Sequence, residues 1–160
     1  MTSQTEASFP LRRGAYSYRG DPAVPAFPDD HPIIIFDGVC KLCSGWAKFV
    51  LRHDRAGTYR LLTAQSILGR ALYQHYGLDP IDQETNVLIA NGVAWFKSEG
   101  TLRMFEGLGP PWSLARGLRI LPLSARDRGY DFIARNRIKF FGQRASCFLP
   151  TTEIQSRFLA

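Results

Sequence analysis

Ile33-Ile34-Ile35-Phe36-Asp37-Gly38-Val39-Cys40-Lys41-Leu42-Cys43 reads as a buried strand, a tight turn and a cysteine pair opening a helix. Four successive apolar residues, three of them β-branched, suit a strand covered on both faces. Asp37-Gly38 breaks the strand and lets the backbone turn. From Ser44 to Arg52 the spacing is helical, with Trp46, Phe49, Val50 and His53 along one side. Cys40 and Cys43 are three apart, so both sulfurs fall on one side of the first helical turn.

That placement has chemical consequences. The unpaired N–H groups of a helix start, and the helix dipole, stabilise a thiolate. Lys41 adds a positive charge nearby. A cysteine so placed has its pKa lowered to roughly 3.5–7.5. The same spacing lets the two sulfurs close a small disulfide. The expectation is an attacking thiol at Cys40 and a resolving thiol at Cys43.

Working outward, Gly57 can take a left-handed cap after the first helix, and residues 58–63 form the second strand. Strand, crossover helix and strand imply a parallel pair with a right-handed connection. Ser66 caps a helix over 67–76, with Leu68, Ala71, Leu72 and His75 on one side and Gly77 as its stop. Residues 85–90 and 93–97 flank Asn91-Gly92, a strong hairpin signal. Ser98 is placed to cap a helix containing Leu102, Phe105 and Leu108. The order is βαβ followed by ββα.

Beyond Pro110-Pro111 the chain is helical and basic. One helix is expected over 112–121, with Trp112, Ala115, Leu118 and Leu121 on one side. Another is expected over 124–138, with Tyr130, Ile133 and Ala134 inward. Upstream of Ile33, residues 1–32 hold five prolines and no apolar period, and read as a flexible arm that Phe9, Tyr16, Tyr18 and Phe27 could pin. Residues 33–150 form the domain and 151–160 a tail.

The chain has 160 residues and 45% hydrophobic content, enough for one domain with a sizeable core. No apolar run approaches the roughly 18 residues of a membrane span. No signal peptide is visible; Arg12-Arg13 is not followed by a hydrophobic segment. The expected location is the cytoplasm, where three cysteines are not a disulfide framework. The net charge of +6 is confined to residues 112–144, where eight cations face Asp127 and Asp131. Such a segment is usually a solvated face, but it also fits an acidic partner. Its aromatic residues (Trp112, Tyr130, Phe132, Phe140, Phe141) sit mostly at core spacing, which disfavours nucleic acid.

Phe36-Asp37-Gly38-Val39-Cys40-Lys41-Leu42-Cys43-Ser44 resembles the signature of the DCC family of thiol–disulfide oxidoreductases, named for an Asp and two Cys that match Asp37, Cys40 and Cys43. The resemblance extends to Ser98-Glu99-Gly100, to 135–142 and to Cys147. It implies a thioredoxin-like α/β fold, a four-stranded mixed sheet with a C-terminal helical extension, and disulfide reductase or oxidase activity. One departure is that the wider superfamily carries a cis-proline before the third core strand, and here that place falls near Glu84-Thr85-Asn86.

Three readings of the cysteine pair stay open. In the first, Cys40 attacks a protein or small-molecule disulfide and Cys43 resolves it, with no bound cofactor and an external donor such as glutathione or thioredoxin. In the second the pair holds zinc or an iron–sulfur centre, completed by Cys147, His53 or His75. In the third the thiols are passive and residues 112–144 make a binding module. Asp37 either relays a proton to Cys43 or closes an Asx-type turn. The turn is favoured, because a carboxylate beside a thiolate opposes its ionisation. Lys41 is either a support for the thiolate or a solvated first-turn lysine. Cys147 is a third redox thiol or a buried small residue.

Overall fold

In the computed structural model, which describes residues 13–78, 86–143, 145 and 150–159, the strand Ile33–Phe36 (β1) is buried along its whole length. Its residues have no polar face to offer water, so both sides are covered. Strand alternation divides them. Ile33 and Ile35 enter one apolar layer, Ile34 and Phe36 the other.

The sheet runs β2 (Arg60–Thr63), β1, β3 (Val87–Ala90), β4 (Val93–Phe96). β2 is parallel to β1, from Ile33 opposite Arg60 to Phe36 opposite Thr63. β3 and β4 are antiparallel to their neighbours. Helix α1 (Lys41–His53) makes the crossover between the parallel strands β1 and β2. Helix α2 (Ile67–His75) packs on the opposite face, through Leu68, Leu72 and Tyr73. Asn91 and Gly92 turn the hairpin with φ of 51° and 76°, the left-handed pair that a two-residue turn needs. Helix α3 (Lys97–Gly107) returns to the α1 face, where Met104 is buried. This is the expected thioredoxin-like βαβ–ββα layout.

α3 starts one residue before the expected cap. Phe96 stands at the cap position without a capping side chain. Ser98 instead donates its hydroxyl to Asp127, and Lys97 pairs with Asp131 at 3.1 Å. Both acceptors lie on helix α4 (Leu123–Phe141), so these contacts tie α3 to α4.

The segment expected as an α-helix over 112–121 is a 3-10 helix, Trp112–Ile120. Only the start of its apolar row finds a surface to pack on. Trp112 meets Phe49 and His53 at ring separations of 4.8 Å, whereas Leu118 and Leu121 are exposed. On α4, Ala134 is buried as expected, but Ile133 is 50% exposed. Phe132, Phe140 and Phe141 are exposed as well, so their spacing does not mark core positions.

The proline-rich arm, expected to be flexible, is held to the domain from Arg13 onward. Tyr18 and Val24 join the core layer that α2 covers, with Tyr16 and Phe27 beside them. Tyr16 N–H donates to the Gly92 carbonyl at 2.9 Å. His75, at the end of α2, binds Ser17 Oγ through Nε2 (2.8 Å) and Asp21 through Nδ1 (2.7 Å). A low helix propensity does not prevent an extended segment from laying aromatic rings on a core. Phe9 lies outside the described residues. The C-terminal tail adds to the outer edge of β2, where Leu159 N–H donates to the Leu61 carbonyl at 2.8 Å. Among the described residues no helix is long and apolar enough to cross a membrane.

Candidate active site

The turn after β1 is built on Asp37. Its Oδ1 accepts the Val39 N–H at 3.0 Å, closing the Asx-type turn favoured from the sequence. Gln65, just past the end of β2, reaches across: its Nε2 donates to Asp37 Oδ1 at 2.6 Å and its Oε1 accepts the Gly38 N–H at 2.9 Å. The other carboxylate oxygen accepts from Arg137 Nη2 of α4 at 3.2 Å. Arg137 also donates to the Ala134 carbonyl at 2.8 Å. Asp37 is 3% exposed and Arg137 7%, so this is a buried ion pair in which each partner also makes a further hydrogen bond. Through these contacts Asp37 ties the turn after β1 to Gln65 and to α4.

Cys40 is the N-cap of α1. Its extended backbone puts Sγ over the first helical turn, where it accepts the Cys43 N–H at 3.4 Å. The Cys40 thiol is lowered to about 6, first through the hydrogen bond from the Cys43 thiol, with the backbone N–H groups of Cys43 and Leu42 and the Arg137 charge adding to it against the opposing effect of burial. Cys43 is held well above the ordinary thiol range, because it donates to Cys40, is buried and lies beside the Cys40 charge. Both are free thiols. The opposite shifts on two neighbouring sulfurs favour a thiolate at Cys40 beside a thiol at Cys43.

Neither sulfur lies open. Cys40 is fully buried and Cys43 is 7% exposed. The chain just after α4 lies across Cys40: Gln143 makes an antiparallel bridge with it, and Lys41 N–H donates to the Gly142 carbonyl at 3.2 Å. Gly142 turns there with φ of 85°. Cys43 instead borders a cleft of about 210 Å³, lined among others by Leu42, Trp46, Tyr130, Ile133 and Arg137. Tyr130 Oη accepts the Asn86 N–H at 2.8 Å just before β3. Asn86 belongs to the stretch where a cis-proline is usual in the superfamily; Glu84 and Thr85 lie outside the described residues.

The remaining sequence candidates are dispersed. Lys41 is exposed in the first turn of α1, and the buried cation near the thiols is Arg137. His53 packs tilted against Phe49 and Trp112, and His75 holds the arm. Among the described residues no three His, Cys, Asp or Glu side chains converge as metal ligands. Cys147 lies outside the described residues. Gln65 was missed from the sequence. The available signal was its position directly after β2, since the carboxyl ends of adjacent parallel strands share one edge of the sheet.

Comparison with known proteins gives a consistent result. The family model of DCC1-like thiol–disulfide oxidoreductases matches residues 34–143. The chain is 36% identical over 127 residues to the uncharacterised protein YuxK of Bacillus subtilis, covering 79% of this chain and 93% of that one. It is 40% identical over 122 residues to a chloroplastic DCC family protein of Arabidopsis thaliana, covering 76% and 71%. No solved structure matches it.

Proposed function

This chain belongs to the DCC1-like thiol–disulfide oxidoreductase family, and on that premise we propose that it reduces disulfides through Cys40 and Cys43. The observation that carries the reading is the hydrogen-bonded pair itself, with Cys40 lowered to about 6 at the start of α1 and Cys43 held protonated beside it.

The Cys40 thiolate attacks one sulfur of a substrate disulfide. An S–S bond forms to Cys40, the substrate S–S bond breaks, and the first substrate sulfur leaves as a thiolate that takes a proton from water. The cause that holds Cys43 protonated then disappears. Cys40 no longer carries charge and no longer accepts its proton, so the Cys43 thiol acidifies when it is needed. Cys43 loses its proton to water and attacks Cys40 Sγ. The second substrate sulfur leaves, and an intramolecular disulfide remains. Two external thiols of the glutathione or thioredoxin kind return two electrons and two protons and become a disulfide themselves. A reducing compartment such as the cytoplasm suits that direction of flow.

Asp37 and Arg137 act as positioning residues, and Arg137 also favours the thiolate. The cleft beside Cys43 would hold an apolar group next to the reacting sulfur of a peptide or small-molecule disulfide. Attack by Cys40 requires Gly142 and Gln143 to move off it, because the thiol is otherwise closed to solvent.

The test is thiolate absorbance against pH for the reduced protein, with Cys40→Ser and Cys43→Ser alongside. One thiol titrating near 6 and lost in Cys40→Ser, together with reduction of a peptide disulfide by glutathione that needs both cysteines, is the expected result. Two thiols titrating near the ordinary value of about 8.5, with no turnover, would overturn the proposal.

A further inference from the structure

Among the described residues eleven large apolar side chains are exposed, and all but Ile67 lie between Leu114 and Phe141. They share that stretch with the cations that give the chain its net charge. On α4 the two kinds interleave. Arg128, Phe132, Arg135 and Lys139 recur at three- and four-residue steps and are all exposed, so they form one outward stripe, and Phe140 is exposed beside it. Phe132 and Phe140 lean together, ring centroids 6.3 Å apart, on the solvent side. The preceding 3-10 helix continues the character, with Leu114 71% and Ile120 89% exposed around an exposed Arg116. Arg116, Arg128, Arg135 and Lys139 make no ion pair with any described residue.

Exposed apolar side chains concentrated in one segment point to an interaction site. Its charge selects the occupant. A second copy of the chain would set cation against cation. Nucleic acid would satisfy the charge but not the leucines and isoleucines, which have no ring to stack on bases. A surface both anionic at its face and apolar just below it satisfies both, and that is the boundary of a bilayer rich in acidic lipid. We propose that the outward side of the 112–141 segment is a peripheral docking surface for an anionic lipid bilayer, with Phe132, Phe140 and the leucines entering the headgroup boundary and Arg116, Arg128, Arg135 and Lys139 meeting lipid phosphate. The inner side of α4 carries Tyr130, Ala134 and Arg137 toward the cysteine cleft, so docking sets the thiols a helix width from the membrane surface.

The experiment is sedimentation of the full chain with phosphatidylcholine vesicles, with and without phosphatidylglycerol, at low and high salt. Binding is expected only with phosphatidylglycerol, weakening with salt. Each cation removed in Arg128→Gln, Arg135→Gln or Lys139→Gln should weaken it roughly fivefold, and Phe132→Glu with Phe140→Glu should abolish it. These side chains are exposed, and an unchanged thiol titration in each variant shows that the fold and the cysteine site survive. The proposal is overturned if the chain ignores phosphatidylglycerol vesicles at low salt, or if binding is indifferent to the phenylalanine pair. It is equally overturned if the chain is a dimer that buries this face, or if it binds acidic polypeptide but not vesicles. None of these outcomes depends on disulfide exchange, so the two proposals stand or fall separately.

Discussion

Arg137 and Asp37 are 100 positions apart in the chain, and their side chains meet at 3.2 Å beside the thiol pair, both nearly closed to solvent. The contact joins the turn after β1 to the C-terminal helix, making α4 part of the site. Arg137→Met should therefore have two effects. Stability should fall by about 3–5 kcal/mol, the usual cost of leaving one buried ion unpaired, measured by denaturant unfolding. The Cys40 titration should also move up from about 6, because a favourable charge has gone. Adding Asp37→Asn should restore part of the stability without restoring the thiol.

The thiol pair should give the reduced protein a distinctive pH dependence. Cys40 is lowered in the folded state, so its contribution is present above the unfolded thiol value and is lost as pH falls through about 6. Cys43 is raised, so its contribution is present below the unfolded value and is lost as pH rises above it. Between those limits the folded pair holds one proton, while the unfolded pair goes from two to none around the ordinary thiol value of about 8.5. Stability relative to a Cys40→Ser, Cys43→Ser double variant should rise from about pH 6 and peak at about pH 8.5. A monotonic difference curve would contradict the shared proton.

Gly142 has φ of 85°, a conformation that side chains with a Cβ rarely adopt. Gly142→Val should strain the chain where it crosses Cys40 and loosen that cover. Alkylation of Cys40 should then be faster than in wild type at a pH where both are thiolate, with little change in the titration itself. Mass spectrometry of the labelled peptide reads the site directly.

A Cβ on Gly69 would fall on the Thr63 carbonyl oxygen, a backbone atom that cannot swing aside. Gly69→Ala should cost about 1–3 kcal/mol by overpacking, despite the better helix propensity of alanine. Thermal unfolding should show a lower Tm, with the cysteine titration unchanged.

His75→Phe should loosen the arm. It removes the hydrogen bonds that tie Ser17 and Asp21 to α2. Limited proteolysis should then cut within that segment while the domain beyond residue 33 remains intact.

The strand Ile33–Phe36, the Asp37-Gly38 turn, the cysteines at a helix start and the Asn91-Gly92 hairpin were all legible in the sequence. Each is set by neighbours within a few residues: apolar runs, glycine dihedrals and cap positions act locally. From these the βαβ–ββα order and the thioredoxin-like sheet followed. Tertiary structure alone decided what lies around the thiols. Gln65 and Arg137 reach Asp37 from other elements, Gly142 and Gln143 cover Cys40, and Ser98 turns from a local cap to Asp127 on α4. It also decided which apolar residues of 112–141 are buried. Their spacing permits an inward face, but burial requires a surface to pack on, and α1 and α3 offer one to Trp112 and the cleft side of α4 while leaving Leu118, Phe132 and Phe140 in solvent. Periodicity states which residues share a side; only the assembled fold states what that side meets.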